Sequence, residues 1–193
     1  MITEELWRKI SNEWDKSEKY YQKWHKEYKR FLHFNSVAPI FKDRNVLEIG
    51  TNAGIQSLEI CEHCNSFVGI EKNPIFFEQL RKTMAHTNKP KILLNMGLEE
   101  FSETEDSVKY DSLFMSFVMY HFSDKEVDIL RSKILPKIST IVVYNRAGDR
   151  KVRKNKYDFF KLEPALDLFK SEGFETQHEW QSQKIWYCIK GTK

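Results

Sequence analysis

Val46-Leu47-Glu48-Ile49-Gly50-Thr51-Asn52-Ala53-Gly54-Ile55 is the stretch on which the reading of this 193-residue chain turns. Val46 to Ile49 form a short apolar run behind a charged segment, which predicts a buried strand. Gly50 and Gly54 then bracket a tight turn, after which Ile55, Leu58 and Cys61 recur at helical spacing. Strand, glycine turn and helix together open a nucleotide-binding α/β unit. Without a Cβ the backbone can approach a ligand, and the start of the helix offers free N–H groups.

Working outward, the next apolar run, Phe67 to Ile70, ends in Glu71, twenty-one residues beyond Gly50. An acid at that separation, at the tip of the following strand, suits the two hydroxyls of a ribose; Lys72 stands beside it. The dinucleotide pattern G-x-G-x-x-G is not met, because Asn52 replaces its middle glycine and Ile55 its third. Asn tolerates positive φ, so the turn still forms, but a bulky pyrophosphate fits less easily. The expected ligand is therefore a nucleoside without phosphates.

The rest of the chain alternates strands and helices. Asn73-Pro74 reads as an N-cap and first turn of a helix running to about His86. Lys91–Met96 is a third strand, and Gly97-Leu98-Glu99 at its end offers N–H groups and a carboxylate to an adenine edge. Asp111–Met115 is a fourth strand, followed by an aromatic rim from Ser116 to Phe122 that includes Tyr120 and His121. Ser123-Asp124-Lys125-Glu126 is a capping box for a helix over Val127–Ile134. Ser139–Tyr144 is a fifth strand, Glu163-Pro164 starts a helix that Gly173 closes, and Phe174–Trp180 with Lys184–Lys190 form a terminal hairpin.

This pattern predicts an α/β fold: a Rossmann-like three-layer sandwich on a mostly parallel seven-stranded sheet with a terminal antiparallel hairpin. Ligands of such sheets lie outside the carboxyl ends of the strands, near the switch in strand order. Gly50, Glu71, Leu98-Glu99 and Ser116–His121 all fall at those ends. Ahead of this unit (43–193), residues 1–42 read as an N-terminal helical cap. Trp7, Ile10, Trp14, Tyr21, Trp24, Tyr28 and Phe31 make one apolar stripe, interrupted at Ser17, that packs on the main domain or serves as a lid.

Net charge is only +3, so no global field argues for nucleic acid. The acidic start Met1-Ile2-Thr3-Glu4-Glu5 is unlike a signal peptide, and no apolar run is long enough for a bilayer, so no membrane association is expected. Three cysteines fit a reducing compartment, and a cytoplasmic location is expected. Cys61-Glu62-His63-Cys64 lacks the second pair of a zinc site; Cys61 lies on an apolar face and reads as core, with His63 facing solvent. No metal is expected. Arg146, Arg150, Lys151, Arg153, Lys154 and Lys156 crowd one loop, 146–156, with Asp149 the only acid. A solvated loop is the ordinary reading; an anionic substrate, either a phosphorylated metabolite or an RNA end, is the sharper one.

Taken together, residues 46–146 resemble a class I S-adenosylmethionine-dependent methyltransferase. In local wording they are similar to tRNA wobble-uridine carboxymethyltransferase-like proteins. The resemblance implies S-adenosyl-L-methionine (SAM) as cofactor. It implies that the turn containing Glu48, Gly50, Thr51, Asn52 and Gly54 holds the methionine part, and that Glu71 holds the ribose. It further implies that Gly97-Leu98-Glu99 meets the adenine and that Val118–His121, after Ser116, borders donor and acceptor. Leu135-Pro136-Lys137-Ile138 departs from the Leu-x-Pro-Gly-Gly turn common in that family, and the flanking tRNA-recognition regions are absent. Tyr120 and His121 are expected to position the acceptor, His121 either taking a proton or bracing the rim. The leading expectation is methyl transfer to a small molecule; RNA methylation and a non-catalytic cofactor-binding role are the alternatives.

Overall fold

The run around Val46 forms β1 (Asn45–Ile49), whose last four residues are buried, in a computed structural model that describes residues 5, 9, 37–104, 107–148, 157–181 and 186–193. β1 pairs in parallel with β2 (Ser66–Ile70) on one side and β4 (Ser112–Ser116) on the other. β3 (Lys91–Leu94) extends the sheet beyond β2, and β5 (Thr140–Arg146) beyond β4. β6 (Glu175–Gln181) and β7 (Trp186–Thr192) complete it antiparallel, in the order β3-β2-β1-β4-β5-β7-β6. Strands β1 to β5 therefore switch direction of travel between β1 and β4, the place where such sheets open a crevice.

Helices cover both faces, which is why β4 and β5 are near-continuous apolar runs. On one face α1 (Ile55–His63) and α2 (Pro74–Met84) pack with Val46, Phe67, Phe114 and Val142. On the other, α3 (Leu98–Thr104), α4 (Asp124–Ile129) and α5 (Leu162–Ser171) cover Leu47, Ile49, Leu113, Met115 and Ile141. Each buried Leu, Val or Phe contributes about 1.5–3 kcal/mol by leaving water. Val37, Ala38 and Phe41 are also fully buried, in a short 3₁₀ turn against the α1 face. Phe41 meets Phe114 edge-on at 6.0 Å, and Phe114 meets Tyr144 likewise at 6.2 Å.

The helix starts follow their capping chemistry. Asn73 Oδ1 accepts from the N–H groups of Ile75 (2.9 Å) and Phe76 (3.4 Å) at the head of α2, with Pro74 in its first turn. Ser123 and Glu126 close a reciprocal capping box on α4, Glu126 N donating to Ser123 Oγ and Ser123 N to Glu126 Oε2. Each such cap stabilises its helix by about 1 kcal/mol.

Boundaries shift in places. β3 stops at Leu94 rather than Met96, since α3 already begins at Leu98. The helix expected through Ile134 is α-helical only to Ile129 and widens into a π turn over Leu130–Ile134. α3 itself was not anticipated as a helix; its seven residues carry only Leu98 and Phe101 as apolar markers. The aromatic stripe of 7–31 and the basic positions 150–156 lie outside the described residues. No described helix is long and apolar enough to cross a membrane.

Candidate active site at the carboxyl ends of β1, β2 and β4

The turn after β1 is held by its own backbone. Gly50 N (2.9 Å) and Thr51 N (3.3 Å) both donate to Ile70 O at the end of β2, and Gly54 N donates to Thr51 O (3.0 Å). Gly50, Asn52 and Gly54 adopt φ of +76°, +52° and +81°, so the path needs residues that tolerate the left-handed region. The two glycines answer a packing demand as well. A Cβ at Gly50 would lie 2.8 Å from Val118 Cγ2, and one at Gly54 2.5 Å from Leu80 Cδ1. The space they leave is thus taken by the rim segment and by α2.

Glu71 ties the neighbouring loops together. Its Oε2 accepts from Asn52 N and its Oε1 from Asn73 N, both at 2.8 Å. Its backbone N donates to Leu94 O (3.1 Å), and its backbone O accepts from Asn95 Nδ2 (2.7 Å). Each carboxylate oxygen keeps a second lone pair, the capacity a pair of vicinal hydroxyls uses. Lys72, next along, is exposed.

Glu48 is the most unusual group of the site. It is 0% exposed, between Gly69 of β2 and Phe114 of β4 in register, and neither carboxyl oxygen makes a hydrogen bond of proper geometry. Burial drives its pKa up from 4.5 to about 8; the facing Ser57 hydroxyl pulls it partly back, while the charges of Glu71 and Cys61 add to the rise. Thr51 Oγ1, Ser57 Oγ and Ser116 Oγ are also buried without partners. Glu48 and Ser57 of α1 thus face each other without a well-formed hydrogen bond, and Thr51 after β1 and Ser116 at the end of β4 are buried with none, an arrangement that is costly unless a polar ligand completes it.

The aromatic rim follows β4. Phe117 takes φ of +57°, uncommon for an aromatic residue, and its N–H donates to Tyr144 O (2.8 Å). That turn delivers Val118 onto Gly50 and starts the 3₁₀ turn Met119–His121. Tyr120 stacks on Phe160 (centroids 4.8 Å, 28°) and touches His121 (4.3 Å); His121 is exposed. The peptide between Phe159 and Phe160 is pinned through its carbonyl. Asn145 Nδ2, at the end of β5, donates to Phe159 O (2.7 Å) and to Tyr187 Oη (2.9 Å), and the Tyr187 hydroxyl donates to Phe159 O (2.7 Å).

Glu48, Gly50, Thr51, Asn52, Gly54, Glu71 and Ser116 thus stand at the ends of three adjacent strands, β2, β1 and β4. Leu98 is buried at the start of α3, and the Glu99 carboxylate turns outward to pair with Lys125 of α4. Asn95, Asn145, Phe160 and Tyr187 escaped the sequence reading. Asn145 had a signal, as the lone amide after the run Ile141–Tyr144; Asn95 and Tyr187 had none. Cys61 is core as expected, and His63 is half-exposed with Nε2 3.5 Å from Glu59.

No protein-family model and no curated protein matches the chain. Solved structures do. The fold is similar to magnesium protoporphyrin IX methyltransferase (ChlM) from Synechocystis PCC 6803 with bound SAH: TM-score 0.67 and 13% identity over 97% of this chain and 92% of that one. It is similar to N-methyltransferase NodS from Bradyrhizobium japonicum WM9 in complex with S-adenosyl-L-homocysteine (SAH), with TM-score 0.67 and 13% identity over 86% and 87%. It is also similar to the methyltransferase domain of bacterial CtHen1-CN, with TM-score 0.65 and 10% identity over 85% and 99%. The architecture is that of class I methyltransferases, as the sequence led us to expect.

Proposed function

We propose that this chain is a SAM-dependent methyltransferase acting on a small-molecule acceptor. The observation that carries the reading is the convergence of the buried, neutral Glu48 near the end of β1 and the loop-spanning Glu71 at the end of β2, beside the β1/β4 switch point. A nucleoside with an amino-acid tail fits that donor set: hydroxyls for Glu71, and an ammonium for the unsatisfied acid and hydroxyls around Glu48. Bound SAM supplies a methyl carbon made electrophilic by its sulfonium.

The chain's own residues then bind, align and exclude water. Positioning alone can account for on the order of 7–11 kcal/mol of barrier, so no strong catalytic group is required. The Tyr120–Phe160 stack forms a flat wall on the acceptor side, and exposed His121 accepts the proton that an O–H or N–H acceptor loses. The two solved relatives described with SAH support the choice of cofactor.

A thermal-shift panel with SAM, SAH and NAD tests this. At 100 times the dissociation constant a ligand adds about 2.7 kcal/mol, a readily visible shift. Stabilisation by SAM and SAH is expected; stabilisation by NAD alone overturns the assignment. A second reading, RNA as acceptor, is favoured by exposed Arg146 at the carboxyl end of β5, where the basic run begins. Affinity for single-stranded RNA that falls with log salt at a slope of about −0.7 per phosphate contact supports that reading over the first.

A further inference from the structure

We infer that Asn95 is a positioning residue for the cofactor site, acting through Glu71. The inference rests on the reading of Glu71 as the ribose acceptor. β3 ends at Leu94, and the last regular ladder bond between β2 and β3 is Glu71 N to Leu94 O. The next bond is made by a side chain: Asn95 Nδ2 donates to Glu71 O at 2.7 Å. Every polar group of Glu71 is then fixed by a different piece of chain. β3 holds its N–H, Asn95 its carbonyl, the β1 turn one carboxylate oxygen and the loop before α2 the other.

The carbonyl bond matters because of where the chain goes next. Glu71 O belongs to the peptide that leads to Lys72 and Asn73, and Asn73 N is the donor to Oε1 two residues on. Pinning that peptide fixes the direction in which Asn73 N–H points, and so fixes the carboxylate. When the pin is lost, the peptide can rotate, Asn73 N–H leaves Oε1, and the carboxylate swings on its remaining bond to Asn52 N. Asn is suited to the task, since its amide extends the ladder by a donor after the backbone has turned away.

The test is isothermal titration with SAH, and amide hydrogen exchange without ligand, on the wild type, Asn95→Ala, Asn95→Asp, Glu71→Gln and Asn95→Ala/Glu71→Gln. Asn95→Ala and Asn95→Asp should bind SAH about threefold to tenfold more weakly, the range for one lost hydrogen bond. Exchange at Asn73 should accelerate in both, while the melting temperature barely moves. In the Glu71→Gln background, which keeps one oxygen acceptor and a measurable affinity, Asn95→Ala should add less than its full loss. Equal losses in both backgrounds mean that Asn95 acts independently of Glu71, and overturn the inference. So does unchanged SAH binding by both Asn95 variants. A wild type that binds no SAH refutes the methyltransferase reading, whatever the exchange data show, and unchanged exchange at Asn73 refutes the positioning role by itself.

Discussion

Replacing Glu48 by Gln should flatten part of the pH dependence of stability. In the folded chain Glu48 holds its proton up to about pH 8, because burial disfavours the charge; in the unfolded chain it ionises near 4.5. Below 4.5 both states carry the proton, and the group contributes no pH dependence. Between 4.5 and 8 the unfolded chain has lost a proton that the folded chain keeps, so stability falls as pH rises. At about 1.4 kcal/mol per pH unit the loss reaches roughly 5 kcal/mol above pH 8. Glutamine has the same shape and no charge, so the variant escapes that loss. Urea unfolding of both proteins at pH 5, 7 and 9 isolates the effect, since the two chains share every other titrating group. The variant's advantage should grow from under about 1 kcal/mol at pH 5 to roughly 4–5 kcal/mol at pH 9, superimposed on a constant offset for the buried amide. A difference that stays flat across the three values refutes the assignment of Glu48 as a buried neutral acid.

Three further outcomes are expected. Gly54→Ala should destabilise by about 2–4 kcal/mol in chemical unfolding, from the left-handed backbone and from the press against Leu80, which is itself fully buried. Glu71→Gln should weaken SAH binding about 10- to 100-fold by calorimetry, as charged hydrogen bonds contribute about 1.5–3 kcal/mol. Tyr187→Phe should cost about 1–3 kcal/mol of stability, because Asn145 Nδ2 and Phe159 O lose a buried partner. Its amide-exchange signature should be confined to the segment 157–161 and the Tyr120 rim that Phe160 supports.

Much of the framework was legible because local rules and tertiary structure agree. β1, its glycine turn and α1 follow from a strand run, positive-φ residues and helical spacing in one short window. Asn73-Pro74 and Ser123–Glu126 announced α2 and α4 through capping chemistry that does not depend on distant contacts. The capture of Glu71 by Asn52 N and Asn73 N is half local and half long-range; the sequence suggested the acid, but not that it would brace two loops. The helix α3 was hidden because it is too short for its periodicity to show. The π turn at Leu130–Ile134 and the left-handed Phe117 are products of tertiary packing, and local propensity carries no trace of either. Nor could spacing reveal that the unpaired carboxyl of Glu48 is sealed from solvent, since that depends on what β2 and β4 place on each side.

The placement of β7 has a consequence for how the molecule is assembled during translation. β7 lies between β5 and β6, seven residues paired on each side, and among the described residues β6 pairs only with β7. A nascent chain can join β1 to β5 as they emerge, but the outer margin of β5 stays bare until Thr192 has been made. At 5–20 residues per second the ribosome takes a few seconds to go from Arg146 to Thr192. For that interval a long, apolar strand edge is open to other chains, so slowed decoding over 147–192 should raise aggregation during synthesis without altering the finished protein.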